Sequence, residues 1–224
     1  MEPFDQDRHP EEDSSVATLV QGNTAFALDL YHQLQSVEGN LFFSPYSIST
    51  ALAMTYAGAQ GETAAQMAQA LHFPLEPGQL HPPFALLDRQ LDAITTRGDV
   101  KLQIADALWV QTGHPFLKSF LTVTRRYYGA RIIAVDYTNA EVARQTINGW
   151  VEKKTAQKIK DLIPAGVLDA LTRLVLTNAI YFKGNWASQF DPSLTAEAPF
   201  WVASDEQVQP DSDQEQRPQP EQHG

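Results

Sequence analysis

NLFFSPYSIS, residues 40–49, runs from a short strand signal, Leu41-Phe42-Phe43, straight into Ser44, Pro45 and Ser47. Hydroxyls directly behind three apolar residues need a reason, because a core wants methyls there. One reason is local. Proline suits the first turn of a helix, and a serine just before it can accept from free N–H groups, so Ser44 reads as a cap for a helix over 46–58. That helix is rich in small side chains (Ala51, Ala53, Ala57) and can approach its neighbours closely.

A second stretch raises the same question. RLVLTNAIYFKGNW, residues 173–186, has the apolar run of a strand buried within a sheet, yet Thr177-Asn178 interrupts it. Burying an amide without a partner costs on the order of 1–3 kcal/mol, so Asn178 must face solvent or find hydrogen-bond partners. Serine hydroxyls are suitable ones. A strand-end place for Asn178 is the plainer alternative, though its position in mid-run counts against it.

Outward from these two stretches, Phe26, Leu30 and Leu34 repeat at helical intervals and predict one amphipathic helix over 16–36, ended by Gly39-Asn40. Residues 63–71 are helical again after the Gly58 to Gly61 break. Pro74, Pro77, Pro82 and Pro83 mark loops, with a helix from Phe84 to Ile94. VKLQIADALWVQ predicts a strand over 100–111. A helix over 115–128, a strand over 130–137 and a long helix from Glu141 to Ile163, ended by Pro164, follow. The interleaving gives an α+β class.

The net charge of −11 lies almost wholly in the ends. Residues 1–13 carry six acids against Arg8, and residues 203–224 carry six against Arg217, leaving 14–202 at −1 from 15 acids and 14 bases. Residues 1–13 read as a disordered acidic segment and 209–224 as a disordered polar tail, with one folded domain over 14–208 between them. The near-neutral middle disfavours nucleic acid. Lys153, Lys154, Lys158 and Lys160 are mixed with Glu152 and Asp161 and read as a solvated face.

The absence of cysteine removes disulfide and thiol chemistry. No basic, apolar leader opens the chain and no run approaches a membrane span, so the expectation is no signal peptide, a cytoplasmic protein as written and no membrane partner. No serine lies in a G-x-S-x-G elbow, the six histidines are scattered singly, and no metal-ligand or phosphate-loop spacing occurs. The expectation is no enzyme, no metal and no cofactor. A triad, recognised by geometry, leaves a hydrolase as the minority reading.

NLFFSPYSISTALAMTYAGAQGETAAQM (40–67) and LVLTNAIYFKGNW (174–186) together resemble the serpins, the serine protease inhibitor family. Supporting stretches follow in family order: Phe26-Ala27-Leu28-Asp29-Leu30-Tyr31, Ala107-Leu108-Trp109-Val110, Ile147-Asn148-Gly149-Trp150-Val151 and Lys158 to Pro164. The match spans about residues 16–208.

The resemblance implies a partial serpin fold, with N-terminal helices packed on an incomplete mixed β-sheet. In that family the central sheet opens to take in a cleaved reactive loop as a new strand. It implies that Ser44 and Ser47 lie beneath the central sheet against the strand of Asn178, the three forming a shutter whose hydrogen bonds hold two sheet strands together yet let them part, that Trp186 marks the breach where a loop enters, and that Asn148 lies on the helix crossing the sheet.

A serpin continues for nearly as long again, and here the family pattern stops near Val208. The expectation is therefore a chain truncated before the reactive-centre loop, as a frame change or early stop in a longer gene would leave it, and not inhibitory itself. The family-level partner is a serine or cysteine protease. The alternative is a non-inhibitory fragment that pairs with a complementing strand, a chaperone or itself through an exposed strand edge. The helix over 84–97 offers only Arg89 and Arg97, too few bases for the polyanion site of some serpins.

Overall fold

The alternation of VKLQIADALWVQ becomes the central strand of a three-stranded sheet, and the rest of the fold is arranged around it. The computed structural model describes residues 10–95, 100–196, 198–201 and 207–208. The acidic segment up to residue 9 and the polar tail from 209 lie outside the described residues. Four helices come first: α1 (Pro10–Leu34), α2 (Pro45–Tyr56), α3 (Gly61–Ala70) and α4 (Pro77–Thr95). Strand β1 (Val100–Gln111), α5 (Lys118–Tyr128), β2 (Arg131–Val135), α6 (Ala140–Lys154) and β3 (Leu174–Gly184) follow. A two-residue hairpin, β4 (Phe200–Trp201) with β5 (Gln207–Val208), ends the described chain.

The sheet order is β2-β1-β3. β1 runs parallel to β2, with Ala107 opposite Arg131, and antiparallel to β3 along its length, with Asp106 opposite Asn178. The sheet is therefore mixed, and side chains alternate between its two faces. Leu108, Val110, Ile132, Leu174 and Leu176 join Leu19, Met54, Leu80 and Phe84 in a core under α1, α2, α4 and α5. Ala107, Trp109, Val135 and Val175 turn the other way and join Ala143 and Ile147 of α6 in a second core.

Four local expectations change. Residues 41–43 form no strand: Phe42 is 98% exposed, and an extended segment with no ladder partner is not a strand. α1 starts at Pro10, so residues 10–13, assigned to the acidic segment, begin the helix. α4 begins at Pro77 and carries Pro82 and Pro83 in its second turn. Two helical hydrogen bonds are forfeited there, but Leu80 and Phe84 on either side are fully buried, and that burial outweighs the loss. α6 stops at Lys154 instead of reaching Ile163, because Ala156 and Gln157 take left-handed backbone (φ 49° and 63°) and turn the chain back.

One helix contact is unusually close. A Cβ at Gly22 of α1 would meet the carbonyl oxygen of His72, after α3, at 2.3 Å and Pro74 Cδ at 3.0 Å. Only glycine lets these two backbones approach so nearly.

The chain divides into two compact units between Gly184 and Asn185, inside the domain expected over 14–208. In the second unit Trp186 packs edge-on to Phe190, centroids 5.7 Å apart, and Asp191 caps a short turn through the Ser193 N–H. Among the described residues no helix is long and apolar enough to cross a membrane, and no group of three or more His, Asp or Glu is placed to hold a metal.

Candidate functional site

Ser44 is the N-cap of α2, where its Oγ accepts from the Ser47 N–H at 3.3 Å. That bond turns the first helical residues toward β3. Ser47 Oγ then donates to Asn178 Oδ1. Asn178 Nδ2 donates in turn to Asp106 Oδ1 at 2.8 Å. Asp106 is the residue directly opposite Asn178 in the β1–β3 register, so one chain of hydrogen bonds ties α2, β3 and β1 together. Ser44 takes part through the helix cap, without touching the amide.

Asp106 was not legible as a site residue from sequence. Its one signal is that it is the only charge within the apolar stretch Ile104 to Val110, and its role depends on strand register, which that stretch does not reveal. The residue is 9% exposed. Burial pushes its pKa up to about 7; the Asn178 bond opposes this and the Asp88 charge adds to it. Asp88 is itself raised, by burial and then by Asp92. Burial also raises the Tyr46 and Tyr128 hydroxyls, with Asp88 adding to Tyr46 and Tyr46 to Tyr128. Tyr128 Oη lies 2.7 Å from His81 Nδ1, and burial lowers the His81 pKa, which favours the neutral imidazole.

Where β1 runs past the start of β2, a cavity of about 140 Å³ reaches Asp106 and is lined also by Asp88, Tyr128, Arg131 and Trp150. The arrangement can hold a proton and exchange hydrogen bonds. The Ser44 hydroxyl is engaged by the Ser47 N–H and the Ser47 hydroxyl by the Asn178 amide.

The remaining expected residues lie elsewhere. Asn148 is buried on α6, and its amide brackets Ile163, accepting from Ile163 N–H and donating to Ile163 C=O, both at 2.9 Å. It holds the segment after α6 and is not joined to the Ser47–Asn178 chain. Trp186 lies in the second unit and is 72% exposed. Of the two bases judged too few for a polyanion site, Arg89 donates to Ala85 C=O of its own helix, and Arg97 lies outside the described residues.

The family model for serpins, serine protease inhibitors, matches residues 21–211. The chain belongs to the serpin family. This serpin chain is 44% identical over 185 residues to the leukocyte elastase inhibitor of Bos taurus, covering 81% of the chain and 48% of that relative. It is 41% identical over 199 residues to a serpin-like protein of Methanosarcina mazei, covering 86% of the chain and 46% of the relative. Among solved structures, emu ovalbumin superposes with a TM-score of 0.77 at 29% identity, covering 85% of this chain and 53% of that one. A cleaved serpin, Serpin 42Da, gives 0.73 at 35% identity, covering 88% and 51%. The chain thus spans about half the length of the curated relatives it matches. Its fold is an α+β, partial serpin fold, and serpins as a family are protease inhibitors, not catalysts.

Proposed function

We propose that these 224 residues act as the scaffold of a serine-type protease inhibitor, with Ser47, Asn178 and Asp106 as its releasable joint, and that they do not capture a protease by themselves. The observation that carries this reading is the joint. Beside the apolar core that α2 shares with Leu174 and Leu176, polar bonds tie α2 to β3, and each contributes only about 0.5–1.5 kcal/mol net and can be exchanged when strands part. Relatives named leukocyte elastase inhibitors support a serine protease as the partner class, with cysteine proteases as the wider family-level class. Ser44 supports the joint by capping α2, Trp186 serves as the breach, and Asn148 steadies the helix across the sheet. No cofactor is required.

The reading of no capture rests on the sheet. β3 is an edge strand of the order β2-β1-β3, and among the described residues nothing pairs with its outer side. Incubation of the 224-residue chain with a panel of serine and cysteine proteases is expected to yield no SDS-resistant complex. Appearance of such a complex overturns this part of the proposal.

That same free edge supports a second reading, in which the chain pairs with a complementing strand or with another copy. Phe182, 67% exposed near the end of β3, adds apolar surface there. Size-exclusion with light scattering is expected to give species larger than a monomer at high concentration, and a monomer at all concentrations removes this reading.

A further inference from the structure

We propose that Asp106 is a positioning residue of the joint: its carboxylate dictates which way round the Asn178 amide sits, and a proton taken up on that carboxylate releases the amide. The geometry gives the reason. An ionised carboxylate only accepts hydrogen bonds, so the amide must turn its NH₂ toward Asp106. The Nδ2 to Oδ1 bond of 2.8 Å has this sense. The amide oxygen is then left facing α2, where Ser47 Oγ donates to it. Asp106 thereby selects the donor and acceptor at a contact it does not itself touch.

A protonated carboxyl can donate as well as accept. With a proton on Asp106, the reversed amide is equally well bonded: Asp106 O–H donates to Asn178 Oδ1, and Nδ2 donates to Ser47 Oγ. The only covalent bond formed is the Asp106 O–H, and none within the protein is broken. One proton passes from solvent to Asp106, and the hydrogen of Ser47 is freed from the amide. The bond between strands also changes from charge-assisted to neutral, roughly halving its strength.

The surroundings suit such an exchange. The cavity of about 140 Å³ gives the carboxyl a route to solvent from the corner that β2 leaves open. The groups around it are Asp88 and Asp92 from α4, Tyr46 from α2, Tyr128 from α5, Arg131 at the start of β2, Trp150 from α6 and Asn178 from β3. The acids and buried hydroxyls among them disfavour a second negative charge, and burial keeps the carboxyl titrating near neutrality.

The inference does not depend on protease capture; it concerns only how the joint is set, and its test reads the joint alone. The 224-residue chain is labelled at asparagine, the Asn178 side-chain amide signals are identified by their loss in Asn178→Asp, and pH is varied from about 5 to about 9. On the alkaline side the Asn178 NH₂ is expected to be protected. On acidification its signals shift, and its exchange, corrected for intrinsic pH dependence, rises several-fold, up to about tenfold, as its charge-assisted bond to Asp106 gives way to a neutral one to Ser47 Oγ. In Asp106→Asn this dependence disappears; in Ser47→Ala it remains, because Asp106 and not Ser47 sets the amide. Persistence of the titration in Asp106→Asn, or constancy across the range in the unsubstituted chain, overturns the proposal. Should Asp106→Asn not fold, the Asp106 carboxyl carbon and the Asn178 amide nitrogen are followed in the unsubstituted chain: a shared midpoint supports the coupling, and separate midpoints overturn it.

Discussion

On the α6 face of the sheet, the buried polar groups of Trp109, Thr177 and Tyr137 are neutral and matched, while Trp150 Nε1 is buried without a partner. Trp109 Nε1 donates to Thr177 Oγ1 at 3.0 Å, Tyr137 Oη donates to the Trp109 carbonyl at 2.9 Å, and Trp150 packs edge-on against Trp109. On the α2 face, the neighbouring residues of the same two strands, Asp106 and Asn178, form a chain that depends on a buried carboxyl. Alternate residues of one ladder thus build a fixed seam on one side and an adjustable one on the other. A sheet can keep its register through the first while its helix contact is renegotiated through the second.

Removing the largest side chain of the fixed seam is expected to have the largest effect. Trp109→Ala, at a residue 1% exposed, is expected to cost about 3–5 kcal/mol in urea unfolding, whatever the pH. A cost below about 1 kcal/mol would mean that the α6 face is loosely packed.

The adjustable seam differs in its response to pH. Asp106 has a pKa of about 7 in the fold against an ordinary 3.8, so the native state holds its proton where the unfolded chain has released it. The contribution of Asp106 is therefore fully present below about pH 4, is lost at about 1.4 kcal/mol per pH unit as pH rises toward 7, and is flat above; the total is on the order of 4 kcal/mol. His81, lowered by burial, acts in the opposite sense, its stabilising effect falling away as pH drops through the lowered value. The difference between the unsubstituted chain and Asp106→Asn isolates the carboxyl, and equal pH slopes for the two would break the contrast between faces.

How far the site was readable follows from this contrast. Ser47 and Asn178 stood out because a hydroxyl and an amide interrupt apolar runs, and both are members of the joint. Asp106 sits in an alternating stretch where a charge at that spacing suggests the solvent side; only the antiparallel register with β3 brings it to Asn178. The fold was legible where periodicity is local, as in β1, whose bounds are those read from sequence. It was not legible where tertiary packing overrides a local signal, as at Pro82 and Pro83, or where backbone conformation alone ends an element, as at Ala156 and Gln157.

Smaller effects sharpen the same comparison. Asn178→Leu strands the Asp106 carboxylate and is expected to cost about 2–3 kcal/mol on the alkaline side of neutrality and less on the acid side, read from thermal melts at two pH values. Asn148→Ala frees both backbone groups of Ile163 and is expected to cost about 2 kcal/mol equally at both pH values. Ser188→Ala, exposed in the second unit, is expected to stay within about 0.5 kcal/mol. If Ser188→Ala and Asn178→Leu melt together, the buried joint does not exist as described.

The contact at Gly22 bears on where such adjustment takes place. With the backbone of α1 abutting the His72 carbonyl and no side chain between to act as a cushion, α1 and the turn after α3 travel as one rigid body. That body is an anvil: a displacement arriving from the sheet has no slack to enter there.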